Sequence, residues 1–155
     1  MQQYHGKLIF CIECRLPEVS SNASPGVKLR YYRELRDLSL DELGKMIGFT
    51  RFGIQNFEKG FNPIYYEDAV LLGNALDVNP EVFLDEYTSF CKPGYGQRIK
   101  QIREAYKQSQ KEFAIMLGTN RSSLAVWECE FKHRHPKLEM YRKLRRLAGE
   151  RHIVI

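Results

Sequence analysis

Cys11 and Cys14 stand at the Cys-x-x-Cys spacing used by zinc sites, and His5 or Cys91 offer further ligands. A structural zinc site needs four ligands, and the chain has no second Cys-x-x-Cys pair. Both residues also fall in the alternating segment Lys7–Leu16, where a strand would point them to opposite faces. Metal binding is therefore not expected, and no cofactor is implied. The remaining thiol, Cys129, reads as a helical packing residue. His133 and His135 flank Arg134 in a basic stretch and read as phosphate-facing or solvated. Ser, His and Asp residues occur without the spacing of a nucleophile and its base, and no glycine-rich phosphate loop is present. The chain does not read as an enzyme.

Charge points to a different chemistry. The net charge is +5 over 155 residues. It is unevenly spread, at 0 for residues 1–25, +2 for 26–60, −5 for 61–95 and +8 for 96–155. A basic C-terminal portion favours an anionic partner. No apolar window reaches the roughly 18 residues of a membrane span, and the run Leu8–Ile12 is too short for a signal-peptide core. No membrane partner and a cytoplasmic location are expected. Cysteines in such a reducing compartment remain thiols.

The elements that position these charges come in two copies. Ser39-Leu40-Asp41-Glu42-Leu43-Gly44 through Gly48 reappears 70 residues later as Ser109-Gln110-Lys111-Glu112-Phe113-Ala114 through Gly118. At the same offset Gly26 meets Gly96, Arg33 meets Arg103, Arg51 meets Arg121, Phe57 meets Trp127 and Glu58 meets Glu128. Such self-similarity means two copies of one folding unit. In the first copy a helix with apolar positions at Leu29, Tyr32, Leu35 and Leu38 precedes a Ser-x-x-Glu capping box, which the second copy repeats at Ser109 and Glu112. A glycine then ends a short helix, and Thr50 or Asn120 begins the next. Residues 64–76 form a fourth helix with Val70, Leu71, Leu72 and Leu76 as core candidates, and Asn79-Pro80 opens a fifth. In the second copy helices are expected near 97–107, 110–117, 120–130 and 137–148. The tail His152–Ile155 is β-like and would need a partner strand, for which Lys7–Leu16 is the candidate.

These strings resemble the Cro/C1-type (XRE-like) helix-turn-helix regulators of phages and bacteria, over about residues 26–88 and again 96–149. Two short helices joined at a glycine turn bury a shared apolar wedge and leave the second helix free to enter a major groove. The resemblance implies base-facing roles for Arg51, Phe52, Gln55 and Asn56 in the first copy. The matching positions in the second are Arg121, Ser122, Ala125 and Val126. It implies phosphate contacts from Lys59 and Asn62, and from Gln110, Lys132, Arg134 and Lys137. Where the second copy has Gln110 the first has Leu40, and Gly53 lies inside the first recognition helix at a cost of about 1 kcal/mol relative to alanine. The resemblance also implies two structural ion pairs, Arg33 with Glu58 and Arg103 with Glu128.

The expected fold is mainly α: two tandem five-helix lambda-repressor-like helix-turn-helix domains with a minor terminal β element. Residues 1–25 form a strand segment and linker, 26–92 the first domain, and 93–155 the second domain with its tail. The expected function is sequence-specific binding of double-stranded DNA as a transcriptional regulator, more readily a repressor than an activator because no activation domain has room to exist. The resemblance implies mobile-element or phage-type control. A homodimer is expected, held by the terminal strands or the first copy. The alternative is a protein-interaction module, such as an antitoxin or inhibitor, which Phe52 in the groove-facing position supports.

Overall fold

The computed structural model describes residues 19–131 and 134–155. The Lys7–Leu16 strand segment, with His5, Cys11 and Cys14, lies outside the described residues, as do Lys132 and His133. Among the described residues the chain is helical throughout, with no strand. The first three helices are α1 (Pro25–Leu35), α2 (Leu40–Ile47) and α3 (Arg51–Glu58), followed by α4 (Tyr66–Leu76). A 3₁₀ turn at Pro80–Phe83 leads to the short α5 (Glu86–Phe90). The series then repeats as α6 (Tyr95–Ala105), α7 (Gln110–Leu117), α8 (Arg121–Glu128) and α9 (Leu138–Glu150).

Local chemistry explains why these helices start and stop where they do. The Ser39 hydroxyl accepts from the Glu42 N–H at 3.2 Å while the Glu42 carboxylate accepts from the Ser39 N–H at 2.8 Å. Ser109 and Glu112 do the same at 3.3 and 2.8 Å. Each box satisfies two of the N–H groups a helix start leaves open. Gly48 and Gly118 end α2 and α7 at φ 77° and 75°, a left-handed backbone that side chains resist. Thr50 and Asn120 then cap α3 and α8 at 3.1 and 2.7 Å.

Gly26 and Gly96 repeat for a packing reason. A Cβ on Gly26 would lie 2.4 Å from the Phe57 carbonyl oxygen, and one on Gly96 would lie 2.5 Å from that of Glu128. The first turn of α1 rests directly on the end of α3, and α6 rests the same way on α8. Gly96→Ala should therefore destabilise the protein by about 1–3 kcal/mol through overpacking. Gly149→Ala, in α9 with nothing within 4 Å, should instead stabilise it by about 0.5–1 kcal/mol. Urea denaturation of the two variants checks this, and equal midpoints would show that α6 can back away from α8.

The buried side chains form two clusters. Leu29, Leu43, Ile54, Phe57, Ile64, Ala69, Leu72, Leu76 and Phe83 make the first. Tyr95, Ile99, Ile102, Phe113, Leu117, Leu124, Trp127, Tyr141, Leu144 and Leu147 anchor the second. Tyr87, Phe90 and Cys91 belong to the second cluster, so the cores part between Phe83 and Tyr87 rather than at residue 92. Two polar contacts accompany this burial. Arg98 of α6 donates to the Phe90 carbonyl at 2.6 Å, and Arg145 of α9 pairs with Glu86 at 2.7 Å.

Three expectations need correction. Leu35 is 50% exposed and Leu71 42% exposed. A spacing of three drifts around a helix of 3.6 residues per turn, so Leu35 leaves the face that Leu29 starts, and Arg33 takes the inward place. In α4 the inward set is Ala69, Leu72, Gly73 and Leu76, which turns Leu71 out. The expected fifth helix is a 3₁₀ turn followed by a separate α5. Finally, residues 152–155 form no strand. His152 takes φ 55° and Ile153 donates its N–H to the Ala148 carbonyl at 2.9 Å, just as Asp77 takes φ 52° and Val78 donates to Gly73 at 3.0 Å. The tail is the exit turn of α9, and Ile153 and Ile155 pack against the second core.

Candidate nucleic-acid interface

Each unit holds its protruding helix with one largely buried ion pair. Arg33 Nε lies 2.6 Å from Glu58 Oε1 and its Nη2 lies 3.2 Å from Oε2, while Nη1 donates to the Leu38 carbonyl at 2.7 Å. Arg103 repeats the fork on Glu128 at 2.7 and 3.2 Å and donates to the Gln108 carbonyl at 3.1 Å. The side chains are 10% and 9% exposed in the first pair and 13% and 5% in the second. The Glu128 hydrogen bond holds the Arg103 guanidinium above its usual pKa. The pair clamps the first helix of the unit to the end of the protruding helix and to the turn between.

Gln110 joins this clamp. Its Nε2 donates to Glu128 Oε2 at 2.9 Å, so its amide is turned onto the ion pair. Leu40, at the matching position, packs partly buried against the first core. The phosphate role implied for Gln110 therefore has a structural competitor within the unit.

On α3, Ile54 and Phe57 point into the core, and Arg51 and Phe52 stand outside, Phe52 at 72% exposure. Gln55 and Asn56 are half-buried. Gln55 and Lys59 line a shallow groove of about 260 Å³ with Arg30, Leu40 and the Arg33–Glu58 pair. Asn62 is exposed, one residue past Phe61. On α8, Leu124 and Trp127 are buried, Arg121 and Ser122 are exposed, and Ala125 and Val126 are half-buried. Val126 packs against the second core and lines a cleft of about 630 Å³ with Ser122, Ser123, Arg134, Lys137 and Met140. The first turn of α8, Arg134 and Lys137 thus face one concave surface, where helix N–H groups and two cations favour an anion. Of the eight base-facing candidates, Arg51, Phe52, Arg121 and Ser122 are the most accessible.

Two histidine and cysteine readings change. The His135 ring stacks on Tyr65 with centroids 4.2 Å apart and tilts against Tyr95 at 5.1 Å, so it packs between rings instead of facing solvent. Cys129 is exposed, because it follows Arg121 and Ala125 at helical spacing along the outer edge of α8. Cys91 is buried in the second core, where desolvation pushes its thiol up to about 12 and keeps it protonated. Among the described residues no cluster of three His, Cys, Asp or Glu side chains stands close enough to hold a metal.

Phe61 and Phe131 were missed by the sequence reading. They lie 70 residues apart, each just past a protruding helix, and are 72% and 56% exposed. Gly60 and Glu130, both at positive φ, turn the chain so that these rings emerge. Lys59 Nζ sits 5.9 Å from the Phe61 ring centre. The repeat itself was the available signal.

Residues 96–153 match the family model of the helix-turn-helix domain. This is the segment holding α6 to α9 and the Arg103–Glu128 clamp, and it points to the function of a DNA-binding regulator. Neither curated proteins nor solved structures give a match to the chain. No helix among the described residues is long and apolar enough to cross a membrane.

Proposed function

We propose that the chain is a sequence-specific double-stranded DNA-binding transcriptional regulator of Cro/C1 type, with a second helix-turn-helix unit in residues 26–92, and that it acts as a repressor by occupying promoter DNA. The observation that carries this reading is the repeated construction. Both units have the same capping box, left-handed glycine turn, helix cap and buried Arg–Glu fork. In both, the exposed edge of the third helix is offered to solvent. Charge ranks the units. The second carries Arg134 and Lys137 beside the start of α8, whereas the first offers Lys59 and Asn62.

Arg121 is the reader of the second unit, since its guanidinium can donate two bonds to a guanine edge. Lys137 is an anchor on the backbone. Arg121→Ala should cost about 1–3 kcal/mol and relax preference at one base pair, while Lys137→Ala should weaken all sequences alike. Selection from a random duplex pool, followed by binding measurements on the recovered site and its single-base variants, tests both. Identical behaviour of the two variants on matched and mismatched duplexes would overturn the assignment.

A second reading rests on Phe52 and Phe61, two exposed aromatic rings at the start and just past the end of α3 in the less basic first unit. Such residues also serve as anchors in protein interfaces. In that case the first unit docks a protein and only the second unit protects DNA from cleavage. Homodimerisation through the first unit is part of the same question. Light scattering of the free protein decides it.

A further inference from the structure

The loops that leave the two protruding helices touch each other. Tyr65, between α3 and α4, stacks on His135, between α8 and α9, at 4.2 Å and 24°. The Tyr65 hydroxyl lies 2.9 Å from the Tyr87 hydroxyl. Tyr87 in turn donates to the Pro136 carbonyl at 2.9 Å, so its lone pair accepts the Tyr65 proton. Tyr87 is only 9% exposed, and Pro136 is buried. Burial raises the pKa of both tyrosines, which keeps both hydroxyls protonated as this relay requires. A second tie lies alongside, where Lys92, just before α6, donates to Glu81 of the 3₁₀ turn at 2.6 Å. A flexible tether between two independent modules would need none of these bonds.

We propose that the Tyr65–Tyr87–Pro136 relay and the Tyr65–His135 stack fix the separation and rotation of the two DNA-reading helices, so that one chain accepts two half-sites at a single spacing. This rests on the reading that both units bind duplex DNA. Tyr65 and Tyr87 are then specificity-determining positions that touch no base, and what they select is the length of DNA between half-sites. The physics is that of linked binding. When geometry allows both modules to engage, the second event is intramolecular and avidity rises by about 10²–10⁴, and the gain is lost when geometry forbids it. Each inserted base pair turns a half-site by about 35° around the duplex, so a rigid junction cannot follow.

The test uses the full chain and the site recovered from the random duplex pool, with base pairs inserted between its halves. The wild-type protein should lose about 100-fold in affinity when about three base pairs are inserted. Tyr87→Phe, which deletes the relay hydroxyl, and Tyr65→Ala, which deletes both contacts, should cut that penalty below about tenfold. Their affinity for a duplex carrying one half-site should stay within about twofold of wild type. Far-UV circular dichroism on heating, which reads the helices of both units, confirms that each variant is folded, and the milder Tyr87→Phe carries the test if Tyr65→Ala is not. A wild-type protein indifferent to spacing, or variants that keep the wild-type spacing profile, would overturn the junction's role while leaving DNA binding by both units intact. A recovered site with one half only, or no recovered site, would overturn the two-unit reading and this inference with it.

Discussion

Glu128→Ala should lower the stability of the second unit by about 3–5 kcal/mol, because it leaves the largely buried Arg103 guanidinium without its carboxylate. The Glu128 side chain is 5% exposed and accepts from Arg103 Nε and Nη2 and from Gln110 Nε2. After the substitution Arg103 keeps only the Gln108 carbonyl, through Nη1. The chain has one tryptophan, Trp127, adjacent to Glu128 and 9% exposed, so its fluorescence reports this unit selectively. Urea denaturation followed at that signal should show the midpoint fall. Replacing both partners by apolar residues of similar size should recover much of the loss, since the pair itself is near neutral against a packed apolar alternative. An unchanged midpoint for Glu128→Ala would mean that the clamp contributes nothing to the fold.

Binding to the selected duplex should weaken steeply with salt. With about five phosphates neutralised, the log–log slope is roughly −4 to −5, which lowers affinity by about 10²–10³ between 50 and 200 mM salt. Most of that slope belongs to the second unit, which holds the +8 balance of residues 96–155, against −5 for residues 61–95. Arg134→Ala and Lys137→Ala should each flatten the slope by about 1, and Asn62→Ala should leave it unchanged. Titrations by fluorescence anisotropy at several salt concentrations measure all three. A wild-type affinity flat across that range would remove the phosphate contacts from the proposal.

Much of each unit was legible in the residues because its determinants are short-range. A Ser-x-x-Glu box closes within four residues, and a left-handed glycine acts on its own turn. The 70-residue echo then ties distant partners together. Arg33 with Glu58 and Arg103 with Glu128 pair with the same fork geometry in both copies. The repeated Gly26 and Gly96 were visible as a pattern, but their reason, a carbonyl 2.4 or 2.5 Å from the missing Cβ, is a fact of two helices meeting.

What only the tertiary structure decided lies where partners are far apart in the chain or local preference is weak. α5 has five residues, too few to carry an amphipathic period, and its allegiance to the second core comes from the burial of Tyr87, Phe90 and the adjoining Cys91 there, with Arg98 bonded to the Phe90 carbonyl. The tail after α9 has β-forming residues, but the exit turn of its helix claims the backbone and the core claims Ile153 and Ile155. Gln110 looked outward by analogy, and the nearby Glu128 carboxylate turned it inward. His135 sits in a basic loop by sequence, yet a tyrosine 70 residues earlier takes its ring. Sequence alone determined the caps, turns and ion pairs of two units, since those are settled by bonds within a unit and repeated in register. How the units meet was settled by the stacking and hydroxyl bonds of Tyr65, Tyr87, His135 and Pro136; the 70-residue offset makes Tyr65 and His135 counterparts, but it does not say that they touch.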